Sequence, residues 1–215
     1  MYTAYELKNL SIKPRISDIS LQVLADYYTA FMYPFIYRYS VKKNGTEKNI
    51  DLRFEQENFC HLLGLETIAK FSVPHRKLHK YKGKDGWDNI YGNNAEGFIL
   101  DIPHLKGLNR KKFQSMKAKF VYFFLLPNLI DAPLSVDFKN ENVEPPTRID
   151  CELIFYNKVK DDNAIIHLGI EKEDNLEYYI PKTFFVEKVS ERQDDIYLAK
   201  QEDVETAVLD RVIML

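Results

Sequence analysis

A chain of 215 residues with 45% hydrophobic and 13% aromatic side chains, only 8 glycines and 9 prolines can bury a sizeable core, which excludes disordered, collagen-like and low-complexity classes. Its formal charge is minus 2, and the longest uncharged apolar run, Phe120 to Leu126, stops at Pro127, far short of a bilayer span. Met1 to Leu10 carries Glu6 and Lys8 without the apolar stretch of a signal peptide, so a cytoplasmic chain with no membrane partner is expected.

In chain order, Leu21, Leu24, Ala25, Tyr28 and Met32 recur at helical spacing behind Ser17 or Asp18 as a cap, predicting a helix over about 18–33. Ile36 to Val41 and Ile50 to Phe54 flank Asn44-Gly45, a pair that supplies the positive φ angles of a tight hairpin turn. The sequon at Asn44 is accidental in a chain read as non-secreted. Glu55 to Leu65 is helical by periodicity. Phe71 to Asn94, basic and containing Gly83, Gly86 and Gly92, reads as a long loop. Asn109 then caps an amphipathic helix with Phe113, Met116, Phe120, Phe123 and Phe124 on one face and Lys111, Lys112, Lys119 and Tyr122 on the other, ending at Pro127.

Four antiparallel strands follow, over 134–138, 149–156, 163–170 and 178–188. From Ser190 the chain is acidic, and Val204, Val208 and Val212 at helical spacing predict a docking helix. The expected fold is α+β: helices packed on one face of a roughly four-stranded antiparallel sheet, with an additional N-terminal β-hairpin. A single domain spans 1–188, mainly helical and basic over 1–130 and sheet over 131–188, and 189–215 is an acidic extension.

Charge is segregated along the chain. Residues 1–130 hold 20 basic and 12 acidic side chains, residues 131–215 hold 10 and 20. Arg76, Lys77, Lys80, Lys111, Lys112 and Lys119 lead the two basic clusters and are the candidate nucleic-acid contacts, with Tyr81, Trp87 and Tyr91 as interleaved stacking groups. The competing reading is a solvated surface balanced by the acidic half.

Pairing Tyr156 with Asn163 across the central turn makes one sheet face uniformly apolar and sets Glu152 opposite His167 on the other. A carboxylate there favours the imidazolium, as acid–base chemistry requires, although an ordinary polar pair on a solvated face fits equally. Thr183 joins that polar face, and Pro181 introduces a bulge. His61 points away from the buried stripe Phe59, Leu62 and Leu63 of its helix, while Cys60 and Cys151 read as buried thiols. No Walker loop, GxGxxG, GxSxG or HExxH is present, and His75 and His79 lack a third ligand, so neither metal nor cofactor is assigned.

The segment Phe54-Glu-Gln-Glu-Asn-Phe-Cys-His-Leu-Leu-Gly-Leu65, followed by His167-Leu-Gly-Ile170 and Tyr179-Ile-Pro-Lys-Thr-Phe-Phe-Val-Glu187, resembles the phage-associated branch of the barnase/EndoU/colicin/RelE-like nucleases over roughly 36–188. The resemblance implies helices on a four-stranded antiparallel sheet and metal-independent cleavage of RNA by attack of a ribose 2′-hydroxyl, leaving a cyclic phosphate. The matching positions are His61 and Lys182 or Thr183. The chemistry assigns His61 as acid or base, His167 as its partner, Lys182 or Arg53 as phosphate stabiliser, and Thr183 or Tyr156 as orienting groups. RNA is the expected partner, with an inhibitor or partner protein also allowed in a toxin-like system. The alternative is a non-catalytic nucleic-acid or protein-binding module of a phage or mobile element.

Overall fold

Residues 1–190 and 195–214 are described by the computed structural model, and they divide into two units: Met1–Pro34 with Glu55–Phe124, and Phe35–Phe54 with Leu125–Leu215.

The first unit is helical: α1 (Ala4–Lys8), α2 (Leu21–Phe31), α3 (Gln56–Leu63), α4 (Leu65–Ala69), α5 (Gly83–Ile90), α6 (Ile102–Leu108) and α7 (Arg110–Tyr122). Polar caps start the main helices. Ser20, rather than Ser17 or Asp18, accepts from the Val23 amide at 3.1 Å, and Asn109 accepts from Lys112 at 3.0 Å, each satisfying an orphan donor of a first turn. Gly64, at φ 71°, ends α3 in the left-handed conformation and lets the chain turn directly into α4. The core is an aromatic cluster in which Phe59 lies edge-on to Tyr28, Trp87 and Phe123 at 5.4, 5.3 and 5.6 Å between ring centres.

The expected loop over 71–94 is instead largely ordered helix, a 3-10 turn His75–Tyr81 followed by α5. Gly86 serves packing there rather than a loop. A Cβ on Gly86 would lie 2.8 Å from the Cys60 sulfur and 2.9 Å from the Tyr81 carbonyl carbon, so glycine there permits close helix packing. Trp87 is anchored in the same core at 5% exposure. Tyr122, assigned to the outer face of α7, is buried, and its hydroxyl accepts from Lys13 at 3.1 Å. Pro127 does not end the helical region, because it falls in the first turn of α8 (Leu126–Asp131), where its missing N–H costs nothing.

The second unit contains α8 and seven strands: β1 (Phe35–Lys43), β2 (Thr46–Arg53), β3 (Leu134–Asp137), β4 (Leu153–Val159), β5 (Ala164–Lys172), β6 (Tyr179–Lys188) and β7 (Glu202–Ile213). They form a closed barrel in the order β1-β2-β6-β5-β4-β3-β7. This overturns the expected open four-stranded sheet with helices on one face. The four expected strands are present, but the hairpin, with Asn44 and Gly45 at φ 50° and 77°, is part of the same sheet rather than an addition to it. The expected docking helix is strand β7, paired antiparallel with β1 and β3, and residues 191–194 of that stretch lie outside the described residues. A spacing of four suits a helix turn and is also a multiple of the strand repeat of two, so the valines at 204, 208 and 212 could not distinguish them.

The β4–β5 register differs from expectation in an instructive way. Leu153 pairs with Ile170 and Phe155 with Leu168, because β4 runs on to Val159 and the turn occupies 160–163. The slip is four positions in the pairing sum, an even number, so the division of faces survives while the partners change. The apolar face turns into the barrel, where Phe155 meets Tyr39 at 5.1 Å, rather than lying beneath a helix. Pro181 does bring a bulge: Gly169 pairs with Thr183 and Ile170 with Pro181, leaving Lys182 as the extra residue.

Gly86→Ala is expected to destabilise the protein by about 1–3 kcal/mol through overpacking against the Tyr81 backbone. Gly107→Ala, where an added Cβ meets nothing within 4 Å, should be neutral or stabilise by up to about 1 kcal/mol through helix propensity. Denaturant midpoints at unchanged m-value measure both.

Candidate active site

Three groups of titratable side chains emerge. The first is a cleft at the barrel rim, built where strand ends meet. Its volume is about 680 Å3, and Lys43, Lys48 and Lys139 with Asp137, Asp150, Glu152 and Glu171 supply its charges. Lys48, on β2, donates to the Tyr179 hydroxyl at 2.6 Å, and that hydroxyl donates to Glu152 Oε2 at 2.5 Å. The Lys48 ammonium is also 3.9 Å from the same carboxylate oxygen. The result is a chain of proton-bearing groups, ammonium to phenol to carboxylate. The backbone holds it in register, since the Glu152 amide donates to Ile170 at 3.1 Å and its carbonyl accepts from Phe138 at 2.9 Å. Burial, with the hydrogen bond to Glu152 and its charge, pushes the Tyr179 phenol well above its ordinary range, so it stays protonated.

The other side of the cleft holds Asp137, which is 8% exposed and accepts from Lys43 at 2.6 Å. Its second oxygen is buried without a hydrogen-bond partner, with Lys139 at 4.0 Å. Cys151 lines the cleft as a buried thiol pushed up to about 12, chiefly by burial and then by neighbouring carboxylates, which makes it a poor nucleophile.

The second group surrounds His167, on the outer barrel face. Its cross-strand neighbours are Tyr156 and Phe185, not Glu152. His167 is fully buried, stacked parallel on Phe185 at 4.3 Å, and its Nε2 lies 2.7 Å from Asp195 Oδ2. The carboxylate partner therefore exists, but it comes from the turn before β7. The expected solvated face is covered, because Val143, Cys151 and Ile196 to Leu198 pack over it with Val136, Phe138 and Ile154. Asp195 also accepts from the Tyr197 amide at 2.9 Å, so the pair fastens this turn to the sheet. His167 Nδ1 is buried without a hydrogen-bond partner among the described residues. A smaller cavity of about 430 Å3 reaches Asp195, Tyr156 and Lys158. Burial, then the charge of Asp195, raises the Glu187 carboxyl above its usual range, with His167 opposing.

The third group is the basic surface of the helical unit. Arg76, Lys77 and Lys111 are exposed, and Lys112 is half-buried. Lys80 is paired with Glu96. Lys119 is half-buried beside Gly64, and burial pushes its ammonium down to about 8, which makes it a weaker phosphate contact than its neighbours. Tyr81 and Trp87 are buried, so neither offers a free stacking face, and the half-buried Tyr91 donates to Asp26 at 2.8 Å.

The family model described as phage-Barnase-EndoU-ColicinE5/D-RelE like nuclease4, PBECR4, matches residues 21–208. The chain belongs to this family. No curated protein and no solved structure matches it. The PBECR4 match covers both units, so the helices and the barrel alike belong to the nuclease-type module.

Within this PBECR4 chain, the residues expected to act together are drawn from both units. His61 is exposed in the last turn of α3, in the helical unit, where its carbonyl accepts from Gly64 at 2.9 Å. His167 is in the barrel unit. Arg53 stacks over Tyr178 at 4.2 Å with its Nε buried and unpartnered. Lys182 is held by Glu171 at 3.1 Å and Glu173 at 3.2 Å. Thr183 shares the outer face with Tyr156 and His167, one row along. Lys43, Lys48, Lys139 and Tyr179 were missed, since their convergence depends on pairing between strands distant in sequence. Among the described residues, no helix is long and apolar enough to cross a membrane, and no three His, Cys, Asp or Glu side chains are grouped as a metal site requires.

Removing either partner of the His167–Asp195 pair should destabilise the fold by about 3 kcal/mol, as for other buried pairs left half-satisfied. His167→Ala and Asp195→Ala combined should cost clearly less than the sum of the two, measured as a double-mutant cycle by chemical denaturation.

Proposed function

We propose that this PBECR4 chain is a metal-independent endoribonuclease whose active site is the rim cleft. The observation that carries the reading is the Lys48–Tyr179–Glu152 chain opening into a space large enough for a nucleotide. Glu152 takes the proton of a ribose 2′-hydroxyl, whose oxygen attacks the adjacent phosphorus. The bond from phosphorus to the 5′-oxygen breaks, and that oxygen takes a proton from Lys48. Lys43 and Lys139 stabilise the charge of the phosphorane, and the product is a 2′,3′-cyclic phosphate with a free 5′-hydroxyl. Tyr179 holds the base and the acid in place and does not itself titrate. The substrate class is RNA because the 2′-hydroxyl is the nucleophile.

The buried Nδ1 of His167, without a partner among the described residues, favours a second reading, in which the His167–Asp195 pair transfers the proton with Tyr156 orienting the phosphate. Substitution separates the two. RNA should be cleaved in EDTA to cyclic-phosphate ends, Glu152→Gln and Lys48→Ala should each lower the rate at least about 100-fold, and His61→Ala and His167→Gln should keep most of it. Loss of activity confined to the histidine variants moves the site to His167, and a strict magnesium requirement overturns both readings.

A further inference from the structure

The basic helical surface includes a feature that the rim cleft does not use. Phe71 is 75% exposed, yet it is not at a frayed end. The Ala69 carbonyl accepts from the Ser72 and Val73 amides at 2.8 and 3.1 Å, and Asn109 donates to the Ser72 hydroxyl at 3.4 Å, so the backbone on its C-terminal side is pinned. Tyr5, comparably exposed at 71%, packs edge-on against Phe31 at 5.5 Å, whereas Phe71 meets no other ring among the described residues. Lys70 and Lys112 each bring an ammonium to 6.0 Å from the Phe71 ring centre, the outer limit of a cation–π contact. They flank the ring without covering it. Among the described residues neither lysine has a carboxylate within ion-pair distance, and Arg110 and Lys111 are exposed at the start of the same helix as Lys112.

A pinned, exposed aromatic ring between two unpaired cations has the chemistry of a site for single-stranded nucleic acid. A base stacks on the ring, and the phosphates on either side meet the lysines. A folded protein partner would require an apolar patch around Phe71, and its neighbours are cationic instead. We propose that Phe71, flanked by Lys70 and Lys112, is a base-stacking subsite for single-stranded RNA, remote in role from the reacting atoms; it rests on the reading of the chain as an RNA-cleaving protein. An unpaired base is required, because the faces of bases in a duplex are already occupied by their neighbours.

The test uses the full chain and a short fluorescein-labelled uridine oligomer with 2′-O-methyl riboses, which binds but cannot be cleaved. Phe71→Ala should weaken binding about tenfold or more with an unchanged thermal midpoint, and Phe71→Trp should restore it. Changing Lys70 and Lys112 together to Gln should reduce the slope of log affinity against log salt by about 1.4, the value for two single-strand phosphate contacts. Unchanged affinity in Phe71→Ala, or equal loss in Phe71→Ala and Phe71→Trp, overturns the subsite. If the unaltered protein binds with this Phe71 dependence but cleaves no RNA, the nuclease reading fails and the subsite stands.

Discussion

Closure of the barrel by β7 is the constraint on which the second unit depends. That strand pairs with β1 along one side and β3 along the other, so β1 and β3 have no open edge. Only Val204 of β7 is buried, and most of the rest of the strand is exposed, the apolar Val208, Leu209 and Ile213 included. Its stabilising contribution is therefore mainly the ladder hydrogen bonds it completes, not apolar burial. The contrast with β5 is sharp, since all of Ala164 to Ile170 is buried between the interior and the covering segments.

The opposite seam is thin. β2 and β6 meet in parallel through one register pair, Leu52 with Tyr179, and side chains add to it: Lys48 on the Tyr179 ring and hydroxyl, and Arg53 on Tyr178. A barrel joined there by side chains rather than by a full ladder leaves polar groups at its rim that the backbone does not consume. The Lys48–Tyr179–Glu152 chain is one consequence, with the buried, unpartnered oxygen of Asp137 across the same cleft. Polar groups collect where regular pairing is least complete, the pattern expected where local consistency is relaxed.

His167 shows how burial redirects chemistry. An imidazole opposite a carboxylate on an open face is an acid–base pair. The same imidazole covered by the turn that supplies the carboxylate becomes a fastening, with Phe185 stacked behind it and Asp195 shared with the Tyr197 amide. The basic surface underwent a similar correction. Tyr81 and Trp87, interleaved with lysines in sequence, are core residues, while Phe71, at the edge of the same cluster, is the ring left exposed.

Short-range physics was legible from the residues alone. The helix cap at Asn109, the Asn44-Gly45 turn, the buried stripe of α3 and the parity of the β4 and β5 faces each depend on contacts within a few positions or on a strict repeat, and each is present. Family membership was legible too, through the spaced motifs around His61, His167 and Tyr179. What lay beyond reach were pairings whose partners are far apart in the chain. A spacing of four cannot separate strand from helix at Val204, Val208 and Val212, and no local signal announces that Glu202–Ile213 completes a sheet begun at Phe35. The turn position that chose Tyr156 rather than Glu152 for His167, and the closure that gathered Lys48, Glu152 and Tyr179 at one rim, were decided only in tertiary structure, because long-range pairing is selected by the free energy of the whole barrel and not by any segment within it.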